Sequence, residues 1–503
     1  MGLNDLHPLS ILRITPRKTN AILNNFILRV FKIFRLSSRL IMKKMNVATR
    51  TNKYSRLLTS GILRRELRDT FTLALPLMLG ELSGMLMGVA GTLMLGHLSD
   101  TALAAQSIAG VVYIGAMILV WGTLRILPSP VAEAHELRDG QKVNTLSKAA
   151  LMIAVFFSIV CTFILWLGIQ NFDVLKQDPS VSAMSVDYLY HFLYAIPALV
   201  LFATVVNFLD AFEYVRLTMV VAFVGLALDV FLNWLLIYGN WGFPKWGMNA
   251  IAINTGIVHF LMALYILWVI LTNKELAYFR QAKTKWSAVW AEFKKFIRMG
   301  VPSGLQMLVE FMAFGVGTII IGQISKTEQA AHQIALNLVS ATYVTILGVS
   351  TAGMIRVGQA LAYRSRVRIW LAGVSALILG VGIMLIPTFF FLAIPKSVAT
   401  LYINDPVIVG TAASLVFLGG LFQLADAMQA VSMSLLRAIK DVVQPFILSF
   451  IAFWIVGLPI GYWLAVHQGW NAKGIWVCYV VSLIIQAYFF VTRFFKLVKK
   501  GQF

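Results

Sequence analysis

Charge is scarce in this chain: Asp, Glu, Lys and Arg supply only 13% of its 503 residues, while apolar residues supply 59%. A soluble domain carries about a quarter charged residues, so no water-soluble core could absorb this composition and a membrane class follows. Cysteine is scarcer still. The two thiols, Cys161 and Cys478, lie in separate apolar stretches, where a thiol behaves as a small hydrophobe and no metal or redox spacing exists. No disulfide is expected. HExxH, paired-Cys and His-Asp patterns are also missing, which excludes the usual intramembrane enzymes. Acids are half as numerous as bases, 21 against 42, giving a net charge of +21. That excess could suggest nucleic acid, but no nucleic-acid motif accompanies it.

What the chain has in abundance is apolar stretches of about 20 residues, the length that crosses a bilayer core. They recur near 70–96, 104–128, 148–169, 184–208, 217–239, 249–272, 299–323, 332–354, 369–393, 408–435, 445–466 and 475–495. An all-α polytopic membrane protein of about twelve transmembrane helices is predicted. Cations fall on alternate connections: Lys142 and Lys148, Arg216, the 273–298 segment with Lys294, Lys295 and Arg298, then Arg364 to Arg368, and Arg437 with Lys440. The opposite connections, such as Ser99-Asp100 and Asn404-Asp405, carry few cations and several acids. Short basic loops stay cytoplasmic, so both termini are expected inside and the positive-inside rule explains most of the charge.

The chain also repeats itself. Gly91-Thr92-Leu93-Met94-Leu95-Gly96 is echoed by Gly317-Thr318-Ile319-Ile320-Ile321-Gly322, a separation of 318 − 92 = 226. The same spacing relates Pro76 to Pro302, Ala105 to Ala331, Val131 to Val357 and Glu133 to Gln359; later it becomes 405 − 178 = 227, for Asp178-Pro179 with Asp405-Pro406 and Gly242 with Gly469. Two pseudo-symmetric six-helix lobes follow, the organisation of transporters whose substrate site lies between repeats. The lobes are drawn at 66–290, with the central loop, and 291–503, with a basic tail. Residues 1–65 form a basic extension outside the repeat, expected to be partly disordered or to reflect a start at Met42 or Met45. Within it Ile22, Phe26, Val30 and Phe34 recur at helical spacing beside Arg29, Lys32 and Arg35, which would suit a helix lying on anionic lipid.

An ionisable group at the centre of a span costs about 2.5–3.5 kcal/mol on insertion scales, so each needs a reason. The second lobe holds Glu310 and Asp426. Gln306 precedes Glu310 by one turn, and Gln423 and Gln429 flank Asp426 at three-residue spacing, so polar stripes result. Gln333 and Asn337 share a face of the eighth span beside His332, which is read as a helix-helix contact. Two carboxylates together in a low-dielectric cavity must bind a proton, a metal cation or an organic cation. In the first lobe, Glu81 and Asp229 are the candidate intramembrane acids, whereas Asp210 and Glu213 fall near the cytoplasmic ends.

At this point the motifs acquire a family likeness. Ala330-Ala331-His332-Gln333-Ile334-Ala335-Leu336-Asn337, Ile355-Arg356-Val357-Gly358-Gln359, Asp426-Ala427-Met428-Gln429 and Gly457-Leu458-Pro459-Ile460-Gly461-Tyr462 are together similar to multidrug and toxic compound extrusion (MATE) transporters, the NorM-like branch most of all. The likeness covers about residues 66–497. It implies a V-shaped pair of six-helix lobes exporting small cationic amphipathic compounds in exchange for sodium or protons, without a cofactor, and it assigns Glu310 and Asp426 to the second lobe's cation site, with sodium as the metal such a site would hold. A monomer in a bacterial inner membrane is expected. Arg356 then falls in a matching motif as a packing or cytoplasmic-gate residue. Departures exist: Gly91 stands where the family commonly has an Asp, leaving Glu81 as a displaced substitute or a solvated acid, and Phe422 stands near where a Tyr is common. The alternative is a flippase for lipid-linked oligosaccharides from the same superfamily, which should line its cavity with Arg and Lys; the intramembrane charges of this sequence read as mainly acidic.

Overall fold

The structure is a computed structural model that describes residues 61–503. The lipid-lying helix expected at 22–34 falls outside the described residues, and Glu66–Phe503 form a single contact unit. Within the described residues twelve helices are long and apolar enough to span a membrane: α1 Gly61–Gly96, α2 Asp100–Glu136, α3 Gly140–Gln170, α4 Pro179–Asp210, α5 Val215–Tyr238, α6 Asn249–Thr272, α7 Trp286–Ile324, α8 Lys326–Ala362, α9 Arg366–Ala393, α10 Pro406–Ala438, α11 Val443–His467 and α12 Ala472–Lys500. They meet the twelve spans expected from hydropathy. Several overrun the expected stretch because their ends are amphipathic rather than apolar. The basic segment before the seventh span is one case: Trp286 to Arg298 continue the helix, with Val289 and Phe296 buried and the lysines between them on other faces.

Local chemistry explains the breaks. Within α2 the helix lapses at 125–127, where Pro128 and Pro130 have no N–H with which to continue the hydrogen-bond ladder, although Leu127 itself keeps helical φ and ψ. Pro76, Pro197, Pro302 and Pro387 lie inside α1, α4, α7 and α9, each of which continues through its proline. Pro459 behaves differently: wide π turns at Ile451–Gly457 and Trp463–His467 flank it in α11, the arrangement in which a span absorbs a missing donor.

The duplication is visible in the backbone itself. Asp178 caps α4 by accepting from Ser180 N–H, and Asp405 caps α10 by accepting from Val407 and Ile408 N–H; each precedes a proline at the first helical position. The Ser180 hydroxyl and amide hold the Asp178 carboxyl below the usual carboxylate range. Left-handed residues are duplicated too. Arg138 (φ 53°) matches Arg364 (φ 47°), since 364 − 138 = 226, and Glu213 (φ 65°) matches Lys440 (φ 67°), since 440 − 213 = 227. Non-glycine residues in that region cost roughly 1–2 kcal/mol each; their recurrence at equivalent places marks equivalent helix ends.

Contacts between the halves obey the same operator. A methyl group on Gly304 of α7 would lie 2.3 Å from the Leu119 carbonyl oxygen of α2, and one on Gly122 would lie 2.7 Å from Gly304 Cα. The repeat mates are Met78 and Gly348, since 304 − 78 = 226 and 348 − 122 = 226. There too a methyl on Gly348 would meet Met78 N at 2.4 Å. Polar contacts follow suit: Gln359 Nε2 donates to Glu213 (2.6 Å), and the mated pair Glu133 and Lys440 meet at 3.4 Å. Arg356 of α8 donates to both carboxylate oxygens of Glu66 (2.9 Å each), and Lys142 of α3 meets Glu292 of α7 at 2.6 Å. Ser129 reaches the Ala438 carbonyl and Ser303 the Gly122 carbonyl. These bonds share one end of the bundle, the end that carries the basic connections.

Candidate functional site

Glu310 and Asp426 come from α7 and α10, 116 residues apart in sequence (426 − 310 = 116), and the fold brings their carboxyl groups within electrostatic reach of each other. Asp426 is buried, at 6% exposure. Gln429 Nε2 of α10 donates to Glu310 Oε1 at 2.8 Å, and Ser449 of α11 donates to the same oxygen at 3.1 Å. Behind them Gln486 Oε1 of α12 lies 2.5 Å from the Ser449 hydroxyl, whose one proton is shared between this oxygen and Glu310, and accepts from Gln429 at 3.4 Å. Four helices therefore hold one carboxylate. The arrangement is physically coherent: neutral amides and hydroxyls satisfy the charged oxygen, and neither acid has an ammonium or guanidinium group hydrogen-bonded to it among the described residues.

The supporting residues divide. Gln429 belongs to this cluster. Gln306, one turn before Glu310, is buried and accepts from Arg437 Nη2 at 2.8 Å. Gln423 is buried and bonded to Thr342 of α8, and its Oε1 lacks a partner. Gln333 and Asn337 do not join them. Both are exposed, and Asn337 Nδ2 donates to the Gln333 carbonyl of its own helix at 2.9 Å; a shared face was correctly inferred, but it is not the face that meets α7. His332 is instead buried between Thr318 Oγ1 (2.9 Å) and Trp476 Nε1 (3.1 Å), a contact joining α7, α8 and α12. Phe422 packs against Phe314 and Trp476.

In the first half, Glu81 of α1 is half-buried. Arg125, at the break in α2, pairs with it at 3.1 Å. Asp229 of α5 is buried, with Asn233 Nδ2 and Asn254 Nδ2 donating to its two oxygens at 3.0 Å each. Both amide oxygens of that trio, Asn233 Oδ1 and Asn254 Oδ1, are buried without a partner. Asp210 accepts from Thr218 at 2.6 Å. The acids do not obey the duplication: Glu310 falls on Gly84 (310 − 226 = 84), Asp426 on Leu199 (426 − 227 = 199), and Asp229 on Val456 (229 + 227 = 456).

Sequence reasoning missed two arginines. Arg437 was counted among the basic loops, yet it is buried on α10 at 6% exposure; its spacing from Asp426 by 11 residues, three helical turns, was the available signal. Together with Arg125 it lines a cavity of about 20 Å³ that also touches Gln306, Glu310, Tyr343 and Ser350.

The duplicated twelve-helix frame has known counterparts. The MatE family model matches twice, at residues 76–235 and 302–463. The chain belongs to the MatE family. The two matches begin 302 − 76 = 226 residues apart, the spacing found in the sequence and in the interface glycines. MatE proteins are secondary transporters, so this chain is a transporter rather than an enzyme. Among curated relatives it is similar to the multidrug resistance protein NorM of Photobacterium profundum, 29% identical with 86% of this chain and 95% of that protein covered. NorM of Vibrio cholerae is 28% identical, over 87% of this chain and 97% of its own length. The crystal structure of the eukaryotic MATE transporter AtDTX14 shares the fold with a TM-score of 0.79 at 17% identity, covering 88% of this chain and 99% of that one.

Proposed function

We propose that this MatE-family transporter is a multidrug antiporter, exporting small cationic amphipathic compounds in exchange for sodium ions or protons. The observation that carries the proposal is the pairing of a buried Asp426 with a half-buried Glu310, the latter bonded to the Gln429 amide and the Ser449 hydroxyl and neither acid hydrogen-bonded to a basic group among the described residues. Gln306, Gln423 and Gln429 support the pair from neighbouring turns. A sodium ion or proton entering from outside neutralises the two carboxylates and weakens the hold on a cationic compound in the cleft between lobes 66–290 and 291–503, which is released outward. The lobes then rock, the ion leaves toward the cytoplasm, and the vacated carboxylates accept the next cargo. Flat cations are suited to the chain's abundant aromatic rings. In the first lobe Asp229 serves as a subsidiary cation-responsive acid, because the partnerless oxygens of Asn233 and Asn254 accompany it, whereas Glu81 is committed to Arg125.

The hydrogen bonds between the halves gather at the basic end, which the positive-inside rule assigns to the cytoplasm; the conformation is then closed inward. We further propose a monomer in the bacterial inner membrane with both termini cytoplasmic. Dye efflux from proteoliposomes tests the exchange directly. An imposed sodium gradient and an imposed proton gradient are compared with no gradient, and efflux that responds to neither contradicts the antiport mechanism.

A further inference from the structure

The cavity between α2, α7, α8 and α10 presents donors that the protein itself leaves unanswered. Arg437 is more than nine-tenths buried, spends one N–H on Gln306, and keeps its Nε buried without a partner. Ser350 Oγ, on α8, lines the same cavity and is likewise buried and unpartnered. Tyr343 stands beside them, and Arg125 spends one N–H on Glu81. Each guanidinium offers about five donors and no acceptor, and an orphaned buried donor costs roughly 1–3 kcal/mol, more when charged. Such a set asks for an acceptor. The cavity's volume of about 20 Å³ admits one body the size of a water molecule.

We propose that this cavity binds a single small monovalent anion, chloride by its size, held by Arg437, Arg125 and the Ser350 hydroxyl. Charge decides when it binds. The groups facing the cavity are Arg125 and Arg437 against Glu81, Glu310 and, one step further, Asp426. With all three acids ionised the formal sum is 2 − 3 = −1 and an anion is repelled. With Glu310 and Asp426 neutralised it is 2 − 1 = +1 and an anion is attracted. Anion occupancy is therefore linked to the neutralised state of the carboxylate pair, a coupling that must be reciprocal.

The test is thermal melting of the purified full-length transporter in detergent, titrated with sodium chloride against sodium gluconate at constant sodium and ionic strength. Chloride is expected to raise the melting temperature saturably, gluconate not. R437Q is expected to abolish the chloride response. S350A removes only a hydroxyl that has no protein partner, so the fold is kept even if R437Q fails to fold, and it should raise the half-saturating chloride concentration roughly tenfold. E310Q should lower that concentration, by the charge sum above. Crystals soaked in bromide should show anomalous density between Arg437 and Arg125. Identical melting in chloride and gluconate overturns the proposal, as does a chloride response untouched by S350A, a weaker response in E310Q, or a cavity that contains only water. None of these readouts depends on what the transporter exports.

Discussion

Gly304→Ala and Gly348→Ala probe the interface between the halves at two places that the duplication makes equivalent. Each added methyl would sit within 2.3 to 2.4 Å of a backbone atom of the other half, Leu119 O for Gly304 and Met78 N for Gly348. Backbone cannot rotate away as a side chain can, so the two helices must separate. Overpacking of this kind costs about 1–3 kcal/mol. In a rigid protein the whole cost would appear as lost stability. In a transporter that alternates, the contact exists only while the basic end is closed, and the substitution penalises that state alone. The closed population should then fall relative to the open one by roughly 5- to 150-fold per substitution. Pulsed spin-label distances between positions 137 and 363 in nanodiscs read this directly. Glu136 and Tyr363, joined by a hydrogen bond, mark where the ends touch. The wild type should give a short distance and both variants a broadened or longer one, of similar size because the sites are related by the repeat. Unchanged distances accompanied by a lower melting temperature in both variants would refute the idea that this interface opens.

Further outcomes follow from other parts of the structure. Asp229→Ala strands the Asn233 and Asn254 amides that it now pairs, so detergent-solubilised protein should lose about 2–5 kcal/mol of stability and melt at markedly lower temperature; Asp229→Asn, which keeps the shape, should lose less. A melting curve for Asp229→Ala equal to wild type would remove the residue from the core of the first half. Cys161 and Cys478 are buried at 0% and 3% exposure, so neither should react with maleimide until the protein unfolds, and labelling of the native transporter within minutes would contradict their placement.

Much of this architecture was legible because membrane helices announce themselves by length and apolarity alone. All twelve spans were visible, and so was the 226-residue repeat, though not the interface glycines or left-handed turns that obey it. Glu310 and Asp426 were legible for a related reason: an acid in an apolar span has few bland explanations. Orientation about the helix axis was harder to read. Gln333 and Asn337 share a face, but periodicity does not say which face meets another helix, and theirs is exposed. Arg437 and Arg125 were lost at the ends of apolar stretches, where a cation looks like a loop residue. Only the packing of α10 against α8, with Gln306 of α7 accepting from the guanidinium, shows Arg437 to be buried. The partners Ser449 and Gln486 lie 139 and 176 residues from Glu310 (449 − 310 and 486 − 310), and no local pattern in a single sequence connects such positions.

The coupling role of Glu310 and Asp426 is tested most directly by ion-driven efflux of an ethidium-like dye from proteoliposomes containing wild type, Glu310→Gln, Asp426→Asn and the double variant. Both substitutions keep side-chain volume and hydrogen-bonding capacity while removing charge, and protein orientation and amount are matched between preparations. Gradient-dependent efflux should be lost in the double variant and reduced at least tenfold in each single variant, a change equivalent to about 1.4 kcal/mol of lost coupling. Efflux that keeps its wild-type dependence on the sodium or proton gradient in the double variant would contradict a coupling site built on these two carboxylates.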